Sequence, residues 1–404
     1  MIGVVGRQLL RGLHRVLTLL VPTVPDRICY LSSPDYGDNA YYQFRHLLTS
    51  ATPREHVWLV NDAASLKKVL QDFPAAARQR GHTLYCVRKG TLRGYLFFLR
   101  ARWVFYSHGL YGFARSSHRR TVVCLWHGMP IKNIGALQGE VPARFLPFGD
   151  VHVASSAFFR YVIACAFRVP PGRVHVTGLP RCDVLMMPNL AEFSRQDVRA
   201  RLGLPSAQKL VLWLPTFRQS QREAAVGSSR ARSFLDDVPA QLLRDLGAAA
   251  AAHNCRVVIK LHPKDSLNQR GSQAPETGID VLGQQQWSAL GLPLYDVLAA
   301  ADGLISDVSS VLVDFLPMGR PIGLLGYDAA TYNRQLSFPI EWLLAEPHVH
   351  ALEASDDRAA FFAATGRVGA ESPARAGQEG HQLFHRMGGE PSGAAIARIV
   401  GLAD

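Results

Sequence analysis

Short apolar runs rich in β-branched and aromatic residues alternate along this chain with stretches of helical spacing. That alternation restricts its fold more than any other feature. The first series reads RICYLSS, HVWLV, TLYCV, RWVFYS, TVVCLW, VHVAS and RVHVTG, with helical patterns at Ala40–Leu48, Ala63–Leu70 and Ala157–Phe167. A turn-rich polar passage over 188–206 follows, and then a second series, KLVLWLP, RVVIKLHP, GLISD and PIGLLG. Its helical patterns lie near Ala240–Ala252, Leu294–Ala301 and Ser309–Leu316. Strand-helix alternation implies parallel sheets covered on both faces, because parallel neighbours need a crossover and the crossover is usually a helix. With 404 residues, 48% of them apolar, the chain has material for two cores. The expected fold is α/β with two doubly wound units, residues 26–187 and 209–404, joined by a linker at 188–208. The polar, Ser-rich Gln219–Ser233 reads as a mobile loop. The Ala- and Gly-rich Ala351–Asp404 reads as a helical tail of the second unit, ending in a helix that packs across both.

Residues 1–25 form a segment of their own. Arg7, Arg11 and Arg15 recur every four residues with His14 beside them, while Leu9, Leu10, Leu13, Val16, Leu17 and Leu20 fill the other side. This is a basic amphipathic helix ended by Pro22. It suits either the interface of an anionic membrane or packing on the protein itself. No run approaches the ~18 apolar residues of a membrane span, and no small-residue cleavage site marks a signal peptide.

Lys and Arg number 44 against 32 Asp and Glu, a formal charge of +12 that implies an anionic partner. The six cysteines lie far apart without a C-x-x-C pair and mostly inside apolar runs. They read as small buried hydrophobes of a reducing, cytoplasmic compartment, with neither a zinc site nor a disulfide framework. No nucleic-acid module is recognisable, so nucleic acid is not an expected partner.

Ligands of open α/β sheets bind beyond the carboxyl ends of the strands, and the chemically loaded segments sit there. TVVCL runs into WHGMPIKNIG, which places His127 on a tight Gly-containing turn with Lys132 close behind. Imidazole is the side chain best suited to moving a proton near neutral pH. A structural turn is the plainer reading of this segment alone. RVVIKLHPKD sets Lys260, His262 and Lys264 at a strand end, a cationic group suited to phosphate. GLISDVSSVLVDF puts Ser306, Asp307, Ser309 and Ser310 between a strand and an apolar helix, where hydroxyls and free N–H groups can cradle phosphate or simply cap the helix. PTFR adds Thr216 and Arg218, whose guanidinium binds phosphate as a fork. LSSPDYGDNAYYQF carries Asp38 and Asn39 at a helix start, and TGLPRCDVL carries Arg181 and Asp183. These last residues suit substrate or domain-closing contacts equally. No carboxylate cluster has metal-ligand spacing, Asp307 and Asp314 being the nearest candidates. Neither a metal nor another cofactor is therefore expected.

Taken in order, WHGxPxKxxG, TGxPRxDxL, PTFR, KLHP and SDxSSxxxDF resemble the CDP-glycerol glycerophosphotransferase family of teichoic acid synthesis, from about Ser32 to Tyr332. The resemblance implies a GT-B-like fold, two Rossmann-like domains facing an inter-domain cleft. It also implies work at the cytoplasmic membrane face, transferring glycerol phosphate from CDP-glycerol to a lipid-linked acceptor with release of CMP. By motif, His127 resembles the family's catalytic base, His262 its second essential histidine near the donor phosphates, and Ser309–Ser310 the donor pyrophosphate site. Val308 and Cys182 stand where the family commonly has Tyr and Asn, which leaves glycerol, ribitol or another polyol open as the transferred group. In this reading Arg218, Lys260, Lys264, Ser306 and Asp307 join the donor site. Lys132, Asp38, Asn39 and Arg181 line the acceptor side. The partners implied are a CDP-polyol, a lipid-linked glycan and an anionic membrane surface. A nucleotide-sugar glycosyltransferase of the same architecture is the alternative.

Overall fold

A computed structural model of the chain describes residues 4–115, 117–142, 146–215, 233–262, 265, 278–326, 335–367, 383–386 and 389–403. It divides into two compact units, Met1–Asp183 with Gln382–Asp404, and Val184–His381.

The first unit holds seven strands: β1 (Val24–Leu31), β2 (Glu55–Val60), β3 (Thr83–Arg88), β4 (Ala101–Tyr106), β5 (Thr121–Cys124), β6 (Val151–Ala154) and β7 (Val174–Val176). They pair in parallel in the order β3-β2-β1-β4-β5-β6-β7. The central strands are sealed on both faces: Ile28, Cys29, Tyr30 and Leu31 of β1, and Val57, Trp58, Leu59 and Val60 of β2, are at most 1% exposed. A two-sided cover explains why these segments read as continuous apolar runs without alternation. Tyr30 stacks on Trp58 and Phe105 and meets Phe44 edge-on, forming an aromatic core under the helix Asp38–Leu47.

The second unit carries β8 (Lys209–Leu214), β9 (Cys255–Lys260), β10 (Ile279–Leu282), β11 (Gly303–Ser306), β12 (Ile322–Leu324) and β13 (Val349–Ala351). Their order is β10-β9-β8-β11-β12-β13, all parallel. Counted within its own unit this is 3-2-1-4-5-6, and the first unit has the same order with a seventh strand added. The order reverses at β1/β4 in one sheet and at β8/β11 in the other. Doubly wound sheets bind ligands at that reversal.

Three boundaries differ from the sequence reading. Residues 188–208 form part of the second unit: the N–H groups of Glu192 and Phe193 donate to Asp296 at 2.6 and 3.0 Å, and Ser194 caps the helix Arg195–Arg201. The helix Ser392–Ile399 belongs to the first unit, because Asp183 accepts from the N–H groups of Ser392 (2.8 Å) and Gly393 (3.1 Å) at its amino end. The N-terminal helix, Val4–Leu20, is also part of the first unit.

That helix docks by an unexpected face. His14 is 1% exposed, bonds the Tyr95 hydroxyl at 2.8 Å through Nδ1, and packs against Phe98 and Phe113. Burial is the chief reason its imidazole is pushed down to about 4, with Arg120 and Arg115 adding to the effect. Leu9, Leu13, Val16 and Leu20, a row at helical spacing, are 51 to 71% exposed. The apolar side that should seek a core is turned to solvent. Among the described residues no helix is long and apolar enough to cross a membrane. All six cysteines are free, with Cys29, Cys124, Cys182 and Cys255 buried, Cys86 intermediate and Cys165 exposed.

Candidate active site

In the first unit the candidate residues meet beyond the carboxyl ends of β1, β4, β5 and β7. The loop after β1 is folded by Ser32, whose hydroxyl donates to the Pro34 carbonyl (2.8 Å) and accepts from the Gly37 N–H (3.1 Å). Asp38 follows in the left-handed region, at φ +58°. Asn39, fully buried, donates through Nδ2 to the carbonyls of Trp126 (2.9 Å) and Leu125 (3.4 Å), while its side-chain oxygen accepts from the Arg181 N–H (3.2 Å). Arg181 Nη1 in turn donates to Asp38 Oδ1 (2.7 Å) and to the His127 carbonyl (2.9 Å). Trp126, between these bonds, also sits in the left-handed region at φ +53°. A non-glycine residue held there costs about 1–3 kcal/mol and persists only where its surroundings over-determine it. Here the network of Asn39 and Arg181 supplies that constraint.

The frame aims His127. Its ring lies beside the Ser107 backbone, 4.0 Å from the Trp126 ring, and faces the His108 ring at 5.4 Å in a T-shaped arrangement. The residue is exposed, with the Trp126 and His108 rings against its imidazole. That desolvation, with His108 and Arg181 adding to it and Asp38 and the Ser107 backbone opposing it, pushes the imidazole down to about 4. The ring is therefore neutral at physiological pH. A neutral imidazole has the lone pair a general base needs.

The acceptor-side residues thus divide. Asp38, Asn39 and Arg181 form the frame behind His127, and Asn39, with no exposed surface, positions backbone and does not meet substrate. Lys132 is half-buried further along the β5 loop. Asp183 caps the helix Ser392–Ile399. Gly393 is required there, since a Cβ would come within 2.8 Å of the His46 ring. Sequence reasoning missed Ser107 and His108. The available signal was a second strand-end His-Gly, in YSHG, matching WHG.

In the second unit Ser306 ends β11 at the sheet's reversal, followed by Asp307 and the Ser309–Ser310 turn. Ser306 is fully buried and donates to the Leu214 carbonyl at 2.6 Å, so it ties β11 to β8. Ser309 is the N-cap of the helix Ser310–Phe315 but makes no side-chain cap bond, and both serines keep partial exposure. Asp307 and Val308 are buried, and Asp314 is fully buried with the Tyr295 hydroxyl on its Oδ2 at 2.5 Å. Lys260 ends β9 with its ammonium 5.3 Å from the Trp287 ring centre, and burial pushes it down to about 8. His262, two residues on, is half-buried, and its carbonyl accepts from the Asp265 N–H at 2.9 Å. Arg218, Thr216 and Lys264 lie outside the described residues, as does nearly all of Gln219–Ser233. Among the described residues no group of three or more His, Cys, Asp or Glu could hold a metal ion. A pocket of about 640 Å³ opens in the same unit at Lys209 and Asp302, at the amino end of β8 and away from the motif loops. Asp302 already pairs with Arg195 and Arg199 there, which leaves the motif loops as the better candidate.

Residues 13–364 match the family described as CDP-Glycerol:Poly(glycerophosphate) glycerophosphotransferase. The chain belongs to this family. It is 28% identical over 157 residues to the teichoic acid glycerol-phosphate primase of Bacillus spizizenii, a match covering 39% of this chain and 35% of that protein. To the teichoic acid ribitol-phosphate polymerase TarK of Staphylococcus aureus it is 25% identical over 262 residues, 62% of this chain and 48% of the relative. The matches span about a third to a half of those relatives' length. Among solved structures, a variant of the wall teichoic acid polymerase TagF soaked with CDPG superposes with a TM-score of 0.70 at 16% identity, over 97% of this chain and 91% of that one. The UDP-GlcNAc 2-epimerase of Methanocaldococcus jannaschii gives 0.51 at 9% identity, covering 93% and 99%. At these identities the likeness speaks for the fold, two parallel-sheet Rossmann-like domains.

Proposed function

We propose that this family member transfers glycerol phosphate, or a related polyol phosphate, from a CDP-polyol to a lipid-linked glycan, releasing CMP. The product would belong to teichoic acid or a capsule-like surface polymer. The observation that carries the reading is His127: a neutral imidazole at a strand end, its backbone framed by Arg181, Asp38 and Asn39.

The acceptor hydroxyl attacks the β-phosphorus of the CDP-polyol, and its proton passes to the unprotonated nitrogen of His127. A new O–P bond forms as the bridging bond to CMP breaks, and the departing phosphate takes the electron pair. In this reading the growing charge on CMP meets His262, Lys260, Lys264, Arg218 and the Ser309–Ser310 turn in the second unit. Phosphoryl transfer depends mainly on such positioning and charge stabilisation, and no step requires a cofactor.

The acceptor carries a lipid, so the enzyme would work peripherally at the cytoplasmic face of an anionic membrane. The outward Leu9, Leu13, Val16 and Leu20, with Arg11 and Arg15 on the same helix, support this placement.

Incubation with CDP-glycerol, CDP-ribitol and lipid-linked acceptors tests the proposal by product mass and CMP release. His127→Ala should lower turnover by ~10²–10⁴ with donor affinity nearly intact. Turnover of a nucleotide sugar in place of every CDP-polyol would replace this reading by a glycosyltransferase.

A further inference from the structure

β4 and β5 are adjacent and parallel, with Tyr106 beside Cys124 in register. The first continues as Ser107-His108-Gly109, the second as Leu125-Trp126-His127-Gly128. Each glycine has positive φ, +80° at Gly109 and +131° at Gly128, so both chains turn directly after a histidine. Two imidazoles thereby stand at one sheet edge with ring centres 5.4 Å apart. Their anchoring differs. Arg181 holds the His127 carbonyl at 2.9 Å, whereas His108, next to the fully buried Ser107, is exposed. Among the described residues His108 makes no hydrogen bond or ion pair, only ring contacts with His127 and Trp126 (6.5 Å). The carboxylate framing this corner, Asp38, is engaged by Arg181.

We infer that His108 is an acceptor-binding residue, a hydrogen-bonding contact for a phosphate group carried by the acceptor next to its attacking hydroxyl. The inference rests on the transferase reading and adds an acceptor class to it: phosphate-terminated in preference to uncharged. Two imidazoles this close do not both carry charge cheaply. His127 has Arg181 behind it, which favours its neutral form, while His108 stands at the open side with its ring nitrogens available to a phosphate oxygen. A phosphate at His108 is held by that ring beside the base, and His127 stays free to accept the hydroxyl proton. His108 thus performs no bond-making step and acts through binding.

The test compares two synthetic lipid-linked acceptors that differ only in a terminal polyol phosphate. His108→Ala should raise KM for the phosphate-bearing acceptor about ten- to hundredfold, the worth of one charge-assisted hydrogen bond, with kcat little changed. KM for the uncharged acceptor should not move, and His108→Arg should recover most of the loss. Calorimetric titration with glycerol 3-phosphate gives a readout free of turnover, in which His108→Ala should bind more weakly by a similar factor. Equal loss on both acceptors, a fall in kcat at constant KM, or unchanged glycerol 3-phosphate binding would each overturn the assignment. If the wild-type protein uses neither acceptor with any CDP-polyol, the transferase reading falls, and the titration still decides whether His108 binds phosphate.

Discussion

Arg181 closes on Asp38 at 2.7 Å with both side chains nearly sealed, 7 and 11% exposed, and the same guanidinium nitrogen holds the His127 carbonyl. One side chain therefore joins the loop after β1 to the loop after β5. A lysine retains the charge, but its ammonium reaches less far than Nη1 and lacks the planar geometry that sets both contacts. Arg181→Lys should lower kcat by about tenfold or more through misplacement of His127, leaving donor affinity unchanged. Steady-state rates beside donor titration calorimetry check this, and a loss confined to donor binding would contradict it.

Lys260 predicts a pH effect on the donor. Burial lowers its ammonium from 10.5 to about 8, so the charge is present below that value and is lost as pH rises through it. CDP-polyol binding should weaken between pH 7 and 9, a range in which an ordinary lysine stays fully charged. Lys260→Arg should flatten the profile. Donor affinity measured by calorimetry across that range is the check.

Ser309 and Ser310 can be separated from a capping role because Ser309 makes no side-chain cap bond. Alanine at both positions should weaken donor binding and leave thermal unfolding almost unmoved. A capping role would instead cost about 0.5–2 kcal/mol in stability.

The N-terminal helix is better probed by substitution than by deletion, since removing it would uncover Tyr95, Phe98 and Phe113 around His14. Changing Leu9, Leu13 and Val16 to serine should release the protein from anionic vesicles with the unfolding transition preserved. Neutralising Arg11 and Arg15 should weaken binding more at low salt than at high. Undiminished vesicle binding by the serine variant would remove the helix from the membrane reading.

The strands most readily read from sequence are those sealed on both faces, such as β1, β2 and β8, because two-sided burial leaves an uninterrupted apolar run. The strands β10 and β13 escape the same reading. They are edge strands of four and three residues, half-covered, and their pattern is too short to separate from a loop. Motif positions at strand ends were equally legible, while the frame behind His127 was not. Asn39 meets the Arg181 N–H across 142 residues of sequence, and no local pattern encodes that meeting. The face by which the N-terminal helix docks was hidden for a different reason. Its leucine stripe suits a membrane or a core equally, whereas the docked side is set by His14, which enters an aromatic pocket and bonds the Tyr95 hydroxyl.

The cap that Asp183 places on Ser392–Ile399 makes the first unit discontinuous in the chain. On a ribosome, all seven of its strands emerge before any of the second unit, yet the helix that seals Asp183 arrives only after that unit has been made. Until then the nascent sheet carries a carboxylate without its two N–H partners and a strip of surface, beside His46, shaped for a backbone that has not appeared. The second unit, uninterrupted in sequence, can complete itself first. Closure of the first unit therefore waits until the second unit has been made.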